Sequence, residues 1–210
     1  MSKTALIVVD MQNDFMAGGA LGVPNTQGLT TVINQLLRCD GFDLKIATQD
    51  WHPAGHSSFA SSHEGNQVGD VIDLGDLKQN LWPDHCVQGT HGAKFVDNLD
   101  TRLLDIVFQK GTDPEIDSYS GFYDNGHLKS TGLSMFLKGK GVETVFICGV
   151  ATDYCVKFTA LDAVGEGFKT GLITDLCAGV NLKGADVAQA LMEMDEAGVK
   201  MLDSSVFSWA

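Results

Sequence analysis

Short apolar runs recur along the chain, separated by stretches in which apolar positions return every three or four residues. Runs at 5–9, 44–48, 106–109, 144–148 and 170–174 are rich in Val, Ile and Leu, and a sixth lies at 199–202. Strands that are apolar almost throughout belong to a parallel sheet covered on both faces. The intervening stretches read as helices. Leu29, Val32, Ile33, Leu36 and Leu37 share one helical face, and so do Val156, Thr159, Ala160, Ala163 and Val164. A third face, Val187, Ala190, Leu191 and Met194, is closed by Gly198. This alternation predicts an α/β domain with right-handed crossovers. Residues 51–90 break the pattern. They are rich in His, Ser, Gly, Asp and Pro, show little periodicity, and read as one long irregular loop, which in a compact domain is functional or disordered. With no internal repeat and no linker, the expectation is a single domain over residues 1–210.

Composition narrows the classes. The chain has 210 residues, 44% of them hydrophobic and 20% charged, enough for one sizeable core. Its 27 acidic against 14 basic residues give a net charge of −13. That excess argues against a nucleic-acid partner, which requires a basic face, and against attraction to anionic membranes. The opening apolar run is too short for a signal peptide, and no apolar stretch reaches membrane-spanning length, so a cytoplasmic location is expected. Five cysteines at irregular spacing, with no CxxC pair, read as free thiols. Of these, Cys39, Cys148 and Cys177 lie in or beside apolar runs and read as small buried hydrophobes; Cys86, preceded by His85, is ambiguous.

In an open α/β sheet, ligands bind beyond the carboxyl ends of the strands. The residues expected there are Asp10, Asp50, Lys110 and, after Gly149, Cys155. Each alone has an ordinary explanation: a strand-end Asp caps a turn, a strand-end Lys is solvated, and a cysteine fills space. Together they supply a base, a cation and a nucleophile for acyl transfer. A helix beginning near Asp153 would place Cys155 in its first turn, where the dipole and Lys110 lower a thiol pKa. The loop at 149–151 could offer amides to an oxyanion.

Metal candidates cluster in the irregular stretch. Asp50 and His52, two residues apart, point to one side of an extended segment. With His85 they make a two-His, one-carboxylate set, for which scattered surface histidines are the competing explanation. His56 stands four residues from His52, but Pro53 and Gly55 argue against the helix that spacing needs. His63, His91 and His127 have no local partner and read as solvated. Phe15 and Trp82 either wall a pocket or pack in the core.

The chain carries DMQNDF at 10–15, GGAL at 18–21, TQDWHP at 48–53 and SFA at 58–60. These are followed by WPDHCVQGT at 82–90, KG at 110–111, DSYSGF at 117–122 and GVATDYCV at 149–156. In this order and from end to end, the chain resembles the bacterial nicotinamidases, also called pyrazinamidases, of the isochorismatase-like cysteine hydrolases. The resemblance implies a three-layer α/β/α, Rossmann-like fold around a mostly parallel six-stranded sheet. It implies an Asp10–Lys110–Cys155 triad, and a divalent metal held by Asp50, His52 and His85 with water. Zinc comes first among the metals, iron and manganese being tolerated, and His56 is a weaker further ligand. It also implies a cis peptide before Ala151, an oxyanion hole from the Ala151 and Cys155 amides, and a pyridine ring between Phe15 and Trp82. The implied reaction is hydrolysis of nicotinamide, or pyrazinamide, through a thioester in NAD salvage, by a monomer or homo-oligomer. Ala178 departs from the Arg many relatives carry, away from the expected site. The rival readings are another amidase of the superfamily, acting on an N-carbamoyl or other small amide, and a non-catalytic metal or thiol module.

Overall fold

The structure is a computed structural model and describes residues 2–207. Its sheet has six strands: β1 (Lys3–Val9), β2 (Leu44–Asp50), β5 (Ile106–Lys110), β6 (Val142–Val150), β7 (Lys169–Ala178) and β8 (Lys200–Leu202). Their spatial order is β5-β2-β1-β6-β7-β8, with every neighbouring pair parallel. All six expected apolar runs are strands, and "mostly parallel" becomes wholly parallel for this sheet. The chain moves from β1 out to β2 and β5, then returns to the far side of β1 to lay down β6. The order therefore switches direction between β1 and β6, where an open sheet leaves a crevice at its carboxyl edge.

Alternation along β1 divides the core. Leu6 and Val8 pack with Ile33, Leu36 and Leu37 of helix α1 (Leu29–Arg38). Ala5, Ile7 and Val9 face the other layer. That layer holds α2 (Leu133–Lys140), α3 (Lys157–Gly165) and α4 (Asp186–Glu196). Each fully buried Leu or Ile contributes about 1.5–3 kcal/mol, so both faces of the sheet hold it together. The three expected helical faces correspond to α1, α3 and α4, and Gly198 follows α4 with φ +97°. Helix α2 was not expected. It is eight residues long and contains Gly139, too short for a periodic signal.

Three further corrections concern the elements. Residues 51–90 are not irregular throughout, because β3 (Val71–Leu74) and β4 (Leu77–Asn80) form an antiparallel hairpin. The Gly75-Asp76 pair joining them is a two-residue hairpin signal, with Gly75 at φ +60°. Strand β7 runs on to Ala178, past the expected end at 174, because after a register irregularity Cys177 and Ala178 pair with Gly149 and Val150 of β6, while Asp175 accepts from Ser204 N at 2.8 Å and Ser204 Oγ at 2.6 Å. The segment carrying Cys155 is not the first turn of an α-helix. Thr152–Val156 forms a π turn, with Val156 N donating to Ala151 O at 3.1 Å, before α3 begins at Lys157. No helix among the described residues is long and apolar enough to cross a membrane.

Candidate active site

The strand registers bring the polar strand ends together. Asp50 at the end of β2 pairs in register with Lys110 at the end of β5. Val9 pairs with Gly149, so Asp10 and the 149–156 segment leave the sheet side by side. Gly149 has no substitute at this crossing: its φ is +116°, and a Cβ there would lie 2.1 Å from Val9 O. The Val150–Ala151 peptide is cis, as the resemblance implies.

Lys110 is the hub. Its Nζ lies 2.6 Å from Asp50 Oδ1, 3.0 Å from Asp10 Oδ2 and 3.4 Å from Cys155 Sγ, and donates to Ser118 O at 2.8 Å. All four side chains are buried. Thr48 Oγ1 donates to Asp10 Oδ1 at 2.6 Å. Gln12 clasps the Asp50 backbone, its Oε1 accepting from Asp50 N at 2.8 Å and its Nε2 donating to Asp50 O at 2.7 Å.

The buried charges shift one another. Burial disfavours the Lys110 ammonium, but Asp10 and Asp50 hold its pKa well above the usual lysine value. Burial also opposes ionisation of Asp50, which Lys110, His52 and His85 overcome, leaving it well below the carboxylate range. Asp10 moves the other way: burial raises it, Lys110 opposes, and Asp50 adds to the rise. The Cys155 thiol overturns an expectation. Burial pushes its pKa well up, with Lys110 opposing and the Asp10 and Asp50 carboxylates reinforcing the rise. The sequence suggested a lowered thiol pKa, because neither the second carboxylate nor the depth of burial can be read from local spacing.

On the other side of Asp50 stand the imidazoles. Asp50 Oδ2 lies 3.4 Å from His52 Nε2 and 3.7 Å from His85 Nε2. Donor atoms of Asp50, His52 and His85 all fall within 4.8 Å of one another. His52 Nδ1 bonds Gly111 O at 3.0 Å and His85 Nδ1 bonds Pro83 O at 2.8 Å. Each Nδ1 therefore donates to a carbonyl, which fixes the ring and turns its Nε2 toward Asp50. Buried His52 Nε2 has no hydrogen-bond partner. Two carboxylates against one ammonium also leave a negative charge uncompensated. Both features fit a divalent cation. Gly111 is part of this cradle, since a Cβ at its φ of +64° would lie 2.4 Å from His52 Cε1. His56 is not in the donor set: its ring packs 4.4 Å from that of His52, and its Nδ1 accepts from Ser58 N at 3.1 Å.

Above the thiol lies a cavity lined by Phe15, Leu21, Trp82, Tyr119, Tyr154 and Val180, with Asp50, His85, Ala151 and Cys155 among its polar and backbone groups. Phe15 and Trp82 are thus wall residues. Sequence reasoning missed Tyr119 and Tyr154 as wall residues, although both stand inside motifs it had singled out. Trp82 Nε1 donates to Tyr119 OH at 3.1 Å, and Trp82 and Tyr154 meet edge to face at 4.8 Å. Asp153, expected only as a helix start, has a bracing role that sequence reasoning also missed. Its buried carboxylate accepts from Val180 N at 2.9 Å and Asn181 N at 2.7 Å, tying the π turn to the loop after β7. Ala178 does not line the cavity.

The remaining titratable candidates lie outside the site's donor sets. Cys86 is buried, its amide donating to Asp14 Oδ2 at 2.7 Å. Cys39 and Cys148 are buried and Cys177 half-buried. His91 is exposed, as expected. His63 and His127 do have partners: His63 Nε2 bonds Ser57 O at 2.7 Å, and His127 stacks on Tyr123 with Nε2 3.4 Å from Asp162 Oδ1.

This geometry has close relatives. The family model described as "Isochorismatase domain" matches residues 4–205. The chain is 46% identical over 203 residues to the nicotinamidase of Escherichia coli (strain K12), spanning 96% of this chain and 95% of that protein. A solved Acinetobacter baumanii nicotinamidase and pyrazinamidase superimposes with a TM-score of 0.94 at 44% identity, over 98% of each chain. The Pyrococcus horikoshii pyrazinamidase, solved in complex with zinc, does so with a TM-score of 0.76 at 40% identity, over 96% of this chain and 99% of that one. The chain belongs to the isochorismatase family, within its nicotinamidase branch.

Proposed function

We propose that this protein hydrolyses nicotinamide to nicotinate and ammonia, and pyrazinamide to pyrazinoate, as one domain over residues 1–210. The observation that carries the reading is the position of Lys110 Nζ, within 3.4 Å of groups from Asp10, Asp50 and Cys155. A thiol centre and a metal-ligand set thereby share one buried cation. The Asp50–His52–His85 set favours a nicotinamidase over an N-carbamoyl amidase, and Asp10 and Lys110 beside Cys155 favour an enzyme over a metal or thiol module.

Asp50, His52 and His85 would hold a divalent cation, zinc first among candidates, which would supply a Lewis acid for the substrate ring. Phe15 and Trp82 hold the ring with its carboxamide over Cys155. Asp10 takes the thiol proton as sulfur attacks the carbonyl carbon. The Ala151 and Cys155 amides receive the oxyanion, each such donor contributing about 3–4 kcal/mol. Asp10 returns the proton to the departing nitrogen, and ammonia leaves a thioester. Water attacks that thioester, with Asp10 again as base, releasing nicotinate and restoring the thiol. Lys110 stays protonated throughout and keeps Asp10 and the sulfur in register.

Chromatography of nicotinamide incubated with purified protein, beside a Cys155→Ala variant, tests the reading. Nicotinate is expected from the wild type only, with nicotinamide still bound by the variant. No nicotinate from metal-loaded wild type would move the substrate to another amide.

A further inference from the structure

The β3–β4 hairpin lies mostly at the surface, with Val71 56% exposed, yet one of its side chains turns inward: Gln79, at 3%. A buried amide is costly unless its hydrogens are bonded. Gln79 Nε2 reaches Asn80 O at 2.7 Å, Asp117 Oδ2 at 3.0 Å and Tyr119 OH at 3.3 Å. Asp117 and Tyr119 both line the catalytic cavity. Asp117 Oδ1 accepts in turn from Ser118 N at 2.7 Å, and Ser118 O is the carbonyl that receives Lys110.

The Tyr119 hydroxyl is the point of leverage. It accepts from Trp82 Nε1 at 3.1 Å and from Gln79 Nε2. The two Gln79 hydrogens are shared among Asn80 O, Asp117 Oδ2 and Tyr119 OH, so with Trp82 Nε1 also donating the hydroxyl sits as an acceptor between two N–H groups and turns its own hydrogen elsewhere. Burial and the neighbouring Asp117 keep that proton on the oxygen. The same bonds set the angle of two rings, since Tyr119 meets Trp82 and Tyr154 edge to face.

We infer that Gln79 is a positioning residue: it holds the Tyr119 hydroxyl, and through it Trp82, so that the hairpin sets the shape of the ring subsite without touching the substrate. The inference rests on the proposed nicotinamide hydrolysis for its kinetic consequence. A residue that shapes the ring subsite alone changes binding of ground state and transition state together, which appears in KM.

The test is a double-mutant cycle of Gln79→Met and Tyr119→Phe, read by nicotinamide kinetics and by hydrogen exchange of the Trp82 indole N–H. Gln79→Met is expected to raise KM roughly 10-fold with kcat changed less than about 2-fold. In the Tyr119→Phe background it should add almost nothing. Indole exchange at Trp82 should quicken in both single variants. Should Gln79→Met not fold, Gln79→Ala, which removes the N–H donors without adding a charge beside Asp117, takes its place. A lowered melting temperature with KM unchanged would overturn the inference, as would an equal KM penalty with and without the Tyr119 hydroxyl. Wild type that leaves nicotinamide intact would sink the functional reading instead. The indole exchange would still decide this one, and unchanged exchange in the Gln79 variant would overturn it.

Discussion

Asp50 presents one oxygen to Lys110 Nζ at 2.6 Å and the other to His52 Nε2 at 3.4 Å. A single buried carboxylate therefore borders both the ammonium beside the thiol and the imidazoles that would hold a metal. Whatever alters one half of the site is felt electrostatically in the other, because both halves are buried, where charges are poorly screened.

Lys110→Met should expose this coupling. It removes the cation from between Asp10 and Asp50 and leaves two buried carboxylates facing each other. Breaking a buried pair in this way costs about 3–5 kcal/mol. Urea denaturation should show that loss, and kcat should fall by about 10³-fold or more, since the base and the nucleophile lose their shared partner. A variant with wild-type kcat would remove Lys110 from the mechanism.

Gly111→Ala should act on the metal rather than on the thiol. The added methyl would meet the His52 ring, and the alanine would be held at a φ of +64°. Displacing a ligand whose Nδ1 is anchored on the same residue's carbonyl should weaken metal affinity about 10–100-fold. Competition with a chelator, followed by elemental analysis, measures it. Unchanged affinity would separate Gly111 from the metal site.

Asp153→Ala should loosen the cavity wall. Two backbone amides, those of Val180 and Asn181, lose a shared carboxylate acceptor. The cost should be about 1–3 kcal/mol, with a raised KM because Val180 lines the cavity. Thermal melting together with KM for nicotinamide checks both. Asp153→Asn, which keeps one acceptor oxygen, should recover part of the loss.

Glu166 gives a pH-dependent prediction away from the site. Hydrogen bonds from Lys138, Ser134 and Tyr123 lower its pKa from 4.5 to about 2. Because the folded value is the depressed one, the stabilisation is fully present above about pH 4.5 and is lost as pH falls toward 2. The carboxylate is partly exposed and its Lys138 partner lies at the surface, so the effect should stay below about 1 kcal/mol and shrink with salt. The denaturation midpoint of wild type should exceed that of Glu166→Gln at pH 6, and the gap should narrow by pH 3. A constant gap would assign the difference to packing.

The strands were legible because burial on both faces of a parallel sheet writes apolar runs directly into the chain, and the helices α1, α3 and α4 because one buried face repeats every 3.6 residues. Residues just past those runs, Asp10, Asp50, Lys110 and Cys155, could therefore be assigned to one sheet edge, and family motifs supplied expected roles. The hairpin carrying Gln79 was also within reach through its Gly75-Asp76 turn. What depended on tertiary structure was everything set by distance between elements remote in sequence. The order β5-β2-β1-β6 puts Lys110 against Asp50, a contact across 60 residues. The π turn replaced an ordinary helix start because Cys155 is positioned by what surrounds it rather than by local propensity. The thiol pKa rises instead of falling because burial and two carboxylates outweigh one ammonium. Spacing along a chain carries periodicity and chemistry; the field at a buried atom comes from neighbours that only folding assembles.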